Sequence, residues 1–290
     1  MTTAKIYIHA FKVSKTANSA PLETLINTIS NHRISDRIRT VVTSSVRIDR
    51  VKTDPTNAAG GKLTYIDFVK LRDTHGPGKA SKDVAVNDIA LAPDEYFGEE
   101  TAALYIPQKK WLIAQYNHYG VRPSAMAAYF SSYAANQANS YELTIKLDPD
   151  AQRRFLAANE VRRFEMALDL TKMRAEDRQQ GIGLGAIAAI GADLDGAKLK
   201  ITVSVGAQRK RRLTGRVKDA LTQMIQNTDM VTSAQIAGRE TQDGHIEVVD
   251  LLDEKLVTEA HITIGPGRRL DQNERFRALA LAWSNWKNIL

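Results

Sequence analysis

Lys5 to Val13 alternates apolar with polar positions and is rich in β-branched and aromatic residues, the pattern of a strand. From Pro21 the period changes. Leu22, Leu25, Ile26 and Ile29 recur at helical spacing and predict a helix that the proline starts. Val41 to Val51 and Leu63 to Arg72 read as strands joined through Asn57-Ala-Ala-Gly60-Gly61, a hairpin. Thr74-His75-Gly76-Pro77-Gly78 reads as a turn. Glu95 to Tyr105 and Trp111 to Asn117 are strands on either side of the polar turn Pro107-Gln-Lys-Lys110. Pro123 then begins a helix with Met126, Tyr129, Phe130 and Tyr133 on one face.

The polar break Asn136-Gln-Ala-Asn139-Ser140 sets a module boundary, giving an N-terminal module of residues 1–139 and a C-terminal module of 140–290. In the second module, strands are predicted at Tyr141 to Leu147 and Arg162 to Leu170, with a short helix beginning at Asp150 between them. A small-residue helix follows at Gly185 to Leu194, a strand at Lys198 to Val205 and a helix from Thr214 to Asn227. Three strands come next, Ala234 to Glu240, Ile246 to Leu251 and Leu256 to Ile264. The last helix starts near Asp271 and puts Phe276, Leu279, Ala280 and Trp283 on one face. Hairpins mixed with helices predict an α+β fold: mixed, mostly antiparallel sheets with packed helices, in two modules.

Composition narrows the class. At 290 residues the chain suits one large or two small domains, and 43% hydrophobic with 25% charged residues excludes wholesale disorder. No stretch reaches the roughly 20 apolar residues of a membrane span. The opening segment lacks a secretory apolar core and cleavage site, so the expected compartment is cytoplasmic. Zero cysteines remove disulfides, thiol nucleophiles and thiolate metal sites. Lys and Arg number 40 against 33 Asp and Glu, a net +7 that favours a polyanion partner where the basic groups cluster.

They cluster most in segment 208–218, where Arg209, Lys210, Arg211, Arg212, Arg216 and Lys218 all precede the first acid, Asp219. This run joins a predicted strand to the start of a helix, so backbone N–H groups and side-chain charge can face one phosphate. The plainer reading is a solvated loop, although adjacent cations repel unless an anion relieves them. Gly265-Pro-Gly267-Arg268-Arg269 and Gly76-Pro-Gly78-Lys79-Ala-Ser81-Lys82 each set a turn beside cations, either as anion-binding nests or simply as turns. Gly181-Ile-Gly183-Leu-Gly185 follows no strand and reads as a connector.

Catalytic patterns are sparse. The histidines are scattered without metal spacing, and no cofactor motif is present. His261-Ile-Thr263 is one HxT element of the two-histidine phosphoesterase kind, but its best companion, His9-Ala-Phe11, lacks the hydroxyl. A metal-dependent nuclease wants an acid followed by a D/E-x-K strand. Pro149-Asp150 has none after it, Asp67-Phe-Val-Lys70 has the wrong interval, and Asp193 and Asp195 read as turn caps. Tyr96, Phe97, Trp111, Tyr116 and Tyr119 either stack on bases or, as alternating strands favour, pack a core. On the last helix Trp283 is expected in the core, while Trp286 either packs inside or forms a subunit contact.

Asp88-Ile-Ala-Leu91-Ala-Pro-Asp94-Glu95-Tyr96-Phe97-Gly98 runs into Leu104-Tyr-Ile and then Trp111-Leu-Ile-Ala-Gln115-Tyr-Asn117-His-Tyr119-Gly120-Val121. The helix Pro123-Ser-Ala-Met126-Ala-Ala-Tyr129-Phe130 follows. This order resembles the central signature of RexA-type phage-exclusion proteins and related phage-defence proteins. Further on, Ala189-Ile-Gly191-Ala-Asp193, the strand Leu199-Lys-Ile-Thr-Val203, the basic segment and Asp243-Gly244 keep the same order. The resemblance implies a two-domain homodimer that binds double-stranded DNA largely without sequence preference, senses phage replication and activates a membrane effector protein. It brings no catalytic residue and fixes no individual DNA contact. The expectation is therefore a non-catalytic DNA-binding sensor using the cations named above. A metal-dependent nuclease or phosphoesterase, and a phage structural or interaction protein, remain as alternatives.

Overall fold

The computed structural model describes residues 2–41, 44–57, 61–74, 76–134, 140–170, 196–206, 211–213, 217–218, 231–240, 245–251 and 255–290. Eight strands form a first sheet: β1 (Thr3–Lys15), β2 (Arg39–Val41), β3 (Ser44–Asn57), β4 (Gly61–Arg72), β5 (Phe97–Ile106), β6 (Trp111–Tyr116), β7 (Tyr141–Ile145) and β12 (Val257–Thr263). Their order is β12-β1-β6-β5-β4-β3-β2, and β7 also pairs with β1. A second sheet has the order β11-β10-β8-β9, from β8 (Glu160–Asp169), β9 (Lys198–Ser204), β10 (Val231–Arg239) and β11 (Glu247–Asp250). All strand pairings among the described residues are antiparallel. Among the described residues four α-helices join them: α1 (Leu22–Asn31), α2 (Pro123–Ser131), α3 (Pro149–Ala157) and α4 (Gln272–Trp286). The fold is α+β and strand-rich.

The first sheet is covered on both faces, so successive residues are buried from Leu63 to Val69 in β4 and from Thr101 to Ile106 in β5. One face presents Ile8, Leu63, Leu104 and Ile113 to Phe276, Leu279, Trp283 and Trp286 of α4. Trp286 is thus a core residue beside Trp283; Ala280 packs half-buried against the same cluster, and Ala282 is buried within it. The other face carries Phe11, Ile66, Phe68 and Leu112. One buried cluster joins these to the apolar stripe of α1, to Met126, Tyr129 and Phe130 of α2, and to Met166, Leu168, Ile236 and Val249 of the second sheet.

Strand pairing runs across the boundary drawn at 139. β7 occupies the edge of β1 at residues 11–15 and β12 occupies the same edge at residues 3–9, end to end. Between them the Leu256 N–H donates to the Lys146 carbonyl at 3.0 Å, and Leu147 bridges to Lys255. The second sheet, with α3, is therefore strung between two neighbouring strands of the first sheet, to which β12 and α4 return. The helices expected at 185–194 and around 214–227 and the connector 181–185 fall on residues outside the described ones, except for Val217 and Lys218.

α4 starts where expected. Asp271 caps it, accepting from the Glu274 N–H at 2.8 Å. Glu274 then reaches back to β12, accepting from the Thr263 N–H at 2.6 Å and its hydroxyl at 2.9 Å. In α3 the cap is Asp148, which accepts from the Asp150 N–H, and Pro149 takes the first helical position.

Candidate nucleic-acid interface

β4, β6 and β12 run in one direction through the antiparallel order, so the connections that follow them leave the first sheet at a common end. Both Gly-Pro-Gly turns start from that end. The Gly265 N–H donates to the Arg269 carbonyl and the Arg268 N–H to the Gly265 carbonyl, so these amides close the turn instead of facing an anion. Arg268, not a glycine, holds the left-handed conformation here, with φ 57°. Its side chain is exposed and has no ion pair among the described residues. Arg269 pairs with Glu100, which also forms an ion pair with Arg275.

Lys79 and Lys82 lie on the long excursion between β4 and β5. The Lys79 backbone exchanges two hydrogen bonds with Asn87, at 2.8 and 2.9 Å, which folds the excursion on itself and leaves both lysines exposed. Tyr96 and Tyr119 are exposed near the same end, with the Arg72 guanidinium 6.0 Å over the Tyr119 ring. Trp111, by contrast, is buried and donates its indole N–H to the Leu290 carbonyl.

The described part of the basic segment, residues 211–213 and 217–218, lies against β8 and α3. The Leu213 N–H donates to the Val161 carbonyl, and the Arg162 guanidinium donates to the carbonyls of Gly206 and Arg211. Arg162 thus clamps the backbone on both sides of 207–210, a role that a strand residue's position in sequence does not announce. Arg211 and Arg212 are exposed and have no carboxylate partner among the described residues. Lys218 is turned onto α3: its amine donates to the Leu156 carbonyl at 3.1 Å and sits 5.3 Å over the Phe155 ring. Burial pushes its pKa down. Arg209, Lys210 and Arg216 lie outside the described residues.

Charge is divided unevenly. Of the 40 basic and 33 acidic residues, 17 of each fall within 148–255. The second-sheet unit is formally neutral, and the whole +7 rests on the first sheet with its helices.

The catalytic alternatives lose their residues' proximity. Asp67 is buried and accepts from Arg275 at 2.9 and 3.1 Å and from Gln272 at 2.6 Å, while Lys70, three positions on, points to the opposite face of β4. His9 pairs with Val257 and His261 with Lys5, so the imidazoles share a face but stand four residues apart, roughly 13 Å along the strands. Asp150 is held by Arg153 and Arg154, whose hydrogen bonds and charge lower its pKa, with Arg153 first. Among the described residues no three histidine, aspartate or glutamate side chains gather as a metal site, and no helix is long and apolar enough to cross a membrane.

No curated protein matches the chain. Residues 11–288, nearly its whole length, match DUF6731, a family of unknown function, and the chain belongs to that family.

Proposed function

We propose that this protein is a non-catalytic binder of double-stranded DNA that grips the phosphate backbone with little regard to sequence. The observation that supports the reading is a set of five exposed cations, Lys79, Lys82, Arg211, Arg212 and Arg268, with no carboxylate partner among the described residues. Unrelieved cations on a chain of net +7 are what a polyanion relieves. The exposed rings of Tyr96 and Tyr119 add stacking surface beside the first-sheet group. A sensor or regulatory role in phage exclusion, with a homodimer and a membrane effector, rests on the resemblance of the sequence alone.

Fluorescence anisotropy of a labelled random-sequence duplex, titrated in EDTA at several salt concentrations beside an RNA hairpin, tests it. Tight, salt-steep duplex binding without cleavage is expected. Arg211→Ala with Arg212→Ala should flatten the slope of log K against log salt by roughly 1.8 if both touch phosphates. An unchanged slope moves the interface to the first sheet. Absence of binding even at low salt overturns the proposal.

A protein-interaction role has one observation in its favour. The excursion between β4 and β5 exposes Val84 (56%), Val86 (70%), Ile89 and Leu91, more apolar surface than a solvated loop needs. Sedimentation of the wild type and of the Val84→Ser, Val86→Ser variant separates the readings. Self-association lost in the variant, with DNA affinity retained, assigns the excursion to subunit contact.

A further inference from the structure

Among the described residues only two that are not glycine hold the left-handed backbone conformation, Lys110 at φ 56° and Arg268 at φ 57°. A Cβ crowds the neighbouring carbonyl oxygen there, and glycine is the residue that takes the conformation without strain. Both positions carry a cation instead. Both are exposed in turns, and neither side chain has an ion-pair partner among the described residues. Strain retained twice in favour of a positive charge is a sign that the charge has a use. Arg268 belongs to the Gly-Pro-Gly turn after β12. Lys110 stands at the other end of the sheet: from the Thr3–Thr263 pair to the Lys12–Trp111 pair is nine residues along β1, roughly 30 Å.

Lys110 closes the turn 107–110 between β5 and β6. Its N–H donates to the Pro107 carbonyl at 3.3 Å, and its carbonyl accepts from the Val13 N–H at 2.9 Å, which fastens the turn to β1. This brings in Lys12, whose amine donates to the Lys109 carbonyl at 2.9 Å and lies 4.8 Å from the centre of the Trp111 ring. Lys12, Lys109 and Lys110 are all exposed, and none has a carboxylate partner among the described residues. Burial first, and then the charges of Lys110 and Lys109, push the Lys12 pKa down, so the charges that act on this amine are both positive. Glu142, opposite Ser14 on the neighbouring strand, forms no ion pair among the described residues. Val13, Ile106 and Trp111 beside the turn are buried, which leaves no large apolar side chain there to enter a lipid surface.

We propose that this turn is a phosphate-binding point for double-stranded DNA, with the Lys109 and Lys110 amines reaching backbone oxygens and Lys12 adding its charge beneath them. The contact rests on the DNA-binding reading and adds to the basic segment and the Gly-Pro-Gly turns a further place where the duplex is held. Amines are point charges without a fixed fork, so they supply affinity here and no base preference.

Lys109→Gln with Lys110→Gly tests the contact by duplex anisotropy over a salt series. Glycine suits φ 56° and keeps both backbone bonds of residue 110, so this variant should unfold at no lower urea concentration than wild type. Its slope of log K against log salt should be flatter by roughly 1.8. Lys198→Gln with Lys200→Gln removes the same charge from β9, at the edge of the second sheet, and should leave the slope near wild type. An unchanged slope in the turn variant, with wild type still binding the duplex tightly, overturns the contact and leaves the DNA-binding reading standing. An equal loss in the β9 variant overturns it too, because net charge alone then accounts for the effect. Absence of wild-type binding at low salt overturns both. Sedimentation with phosphatidylglycerol vesicles completes the test: vesicle binding that the turn variant loses, at an unchanged duplex slope, gives the turn to a membrane surface and overturns the proposal.

Discussion

Arg275 is 1% exposed and clasps Asp67, itself 1% exposed, through two hydrogen bonds, with Gln272 and Glu100 completing the cluster. Removing one partner strands a charge in the core. Arg275→Ala or Asp67→Ala should therefore cost about 3–5 kcal/mol in urea unfolding, whereas the paired change Asp67→Leu with Arg275→Met should stay near wild type. His9 gives a pH-dependent counterpart. Its folded pKa of about 4 lies below the ordinary 6.5, so the unfolded chain takes up a proton first as pH falls. Stability is full above 6.5 and is lost between 6.5 and 4, by about 3 kcal/mol. The fall in urea midpoint between pH 7 and pH 4 should be smaller in His9→Phe than in wild type. None of this was legible from local pattern. Asp67 drew notice only as half of a misspaced D-x-K, because its partner lies 208 positions away and nothing in either neighbourhood names the other.

Among the described residues, helices and hairpins were the readable part. The stripe Leu22, Leu25, Ile26 and Ile29 and the cap at Asp271 are short-range signals, and each sits where its spacing placed it. Strand partners were not readable, since a pairing such as Thr3 with Thr263 leaves no mark on either segment. The cap of α4 carries a prediction of its own. Asp271→Ala removes one capping bond and should cost about 1 kcal/mol. Glu274→Ala leaves the Thr263 N–H without its acceptor and should cost about 1–3 kcal/mol. Trp283 and Trp286 make both losses visible by fluorescence during urea unfolding.

For the molecule as a unit, the polar break at 136–140 suggested two modules, yet one apolar core runs from α1 through the first sheet into the second. A shared core unfolds together. All three tryptophans belong to the first sheet and α4, while circular dichroism reports both sheets, so the two signals should give coincident urea transitions. Two separate transitions would show that the second sheet melts alone. The basic run, conspicuous in sequence, lies in a unit whose charges cancel. Net charge was readable from composition, but its division between units required knowing which strands pair.

β1 is flanked by β6 on one edge and by β7 and β12 on the other, which has a consequence in time. It is synthesised before every strand it pairs with, and the last of them, β12, follows roughly 240 residues later. At roughly 5–20 residues per second this leaves part of its edge open for roughly 10–50 s during synthesis. Lys5, Lys12 and Lys15 along that strand are the sort of charges that discourage a nascent edge from pairing with a stranger while it waits.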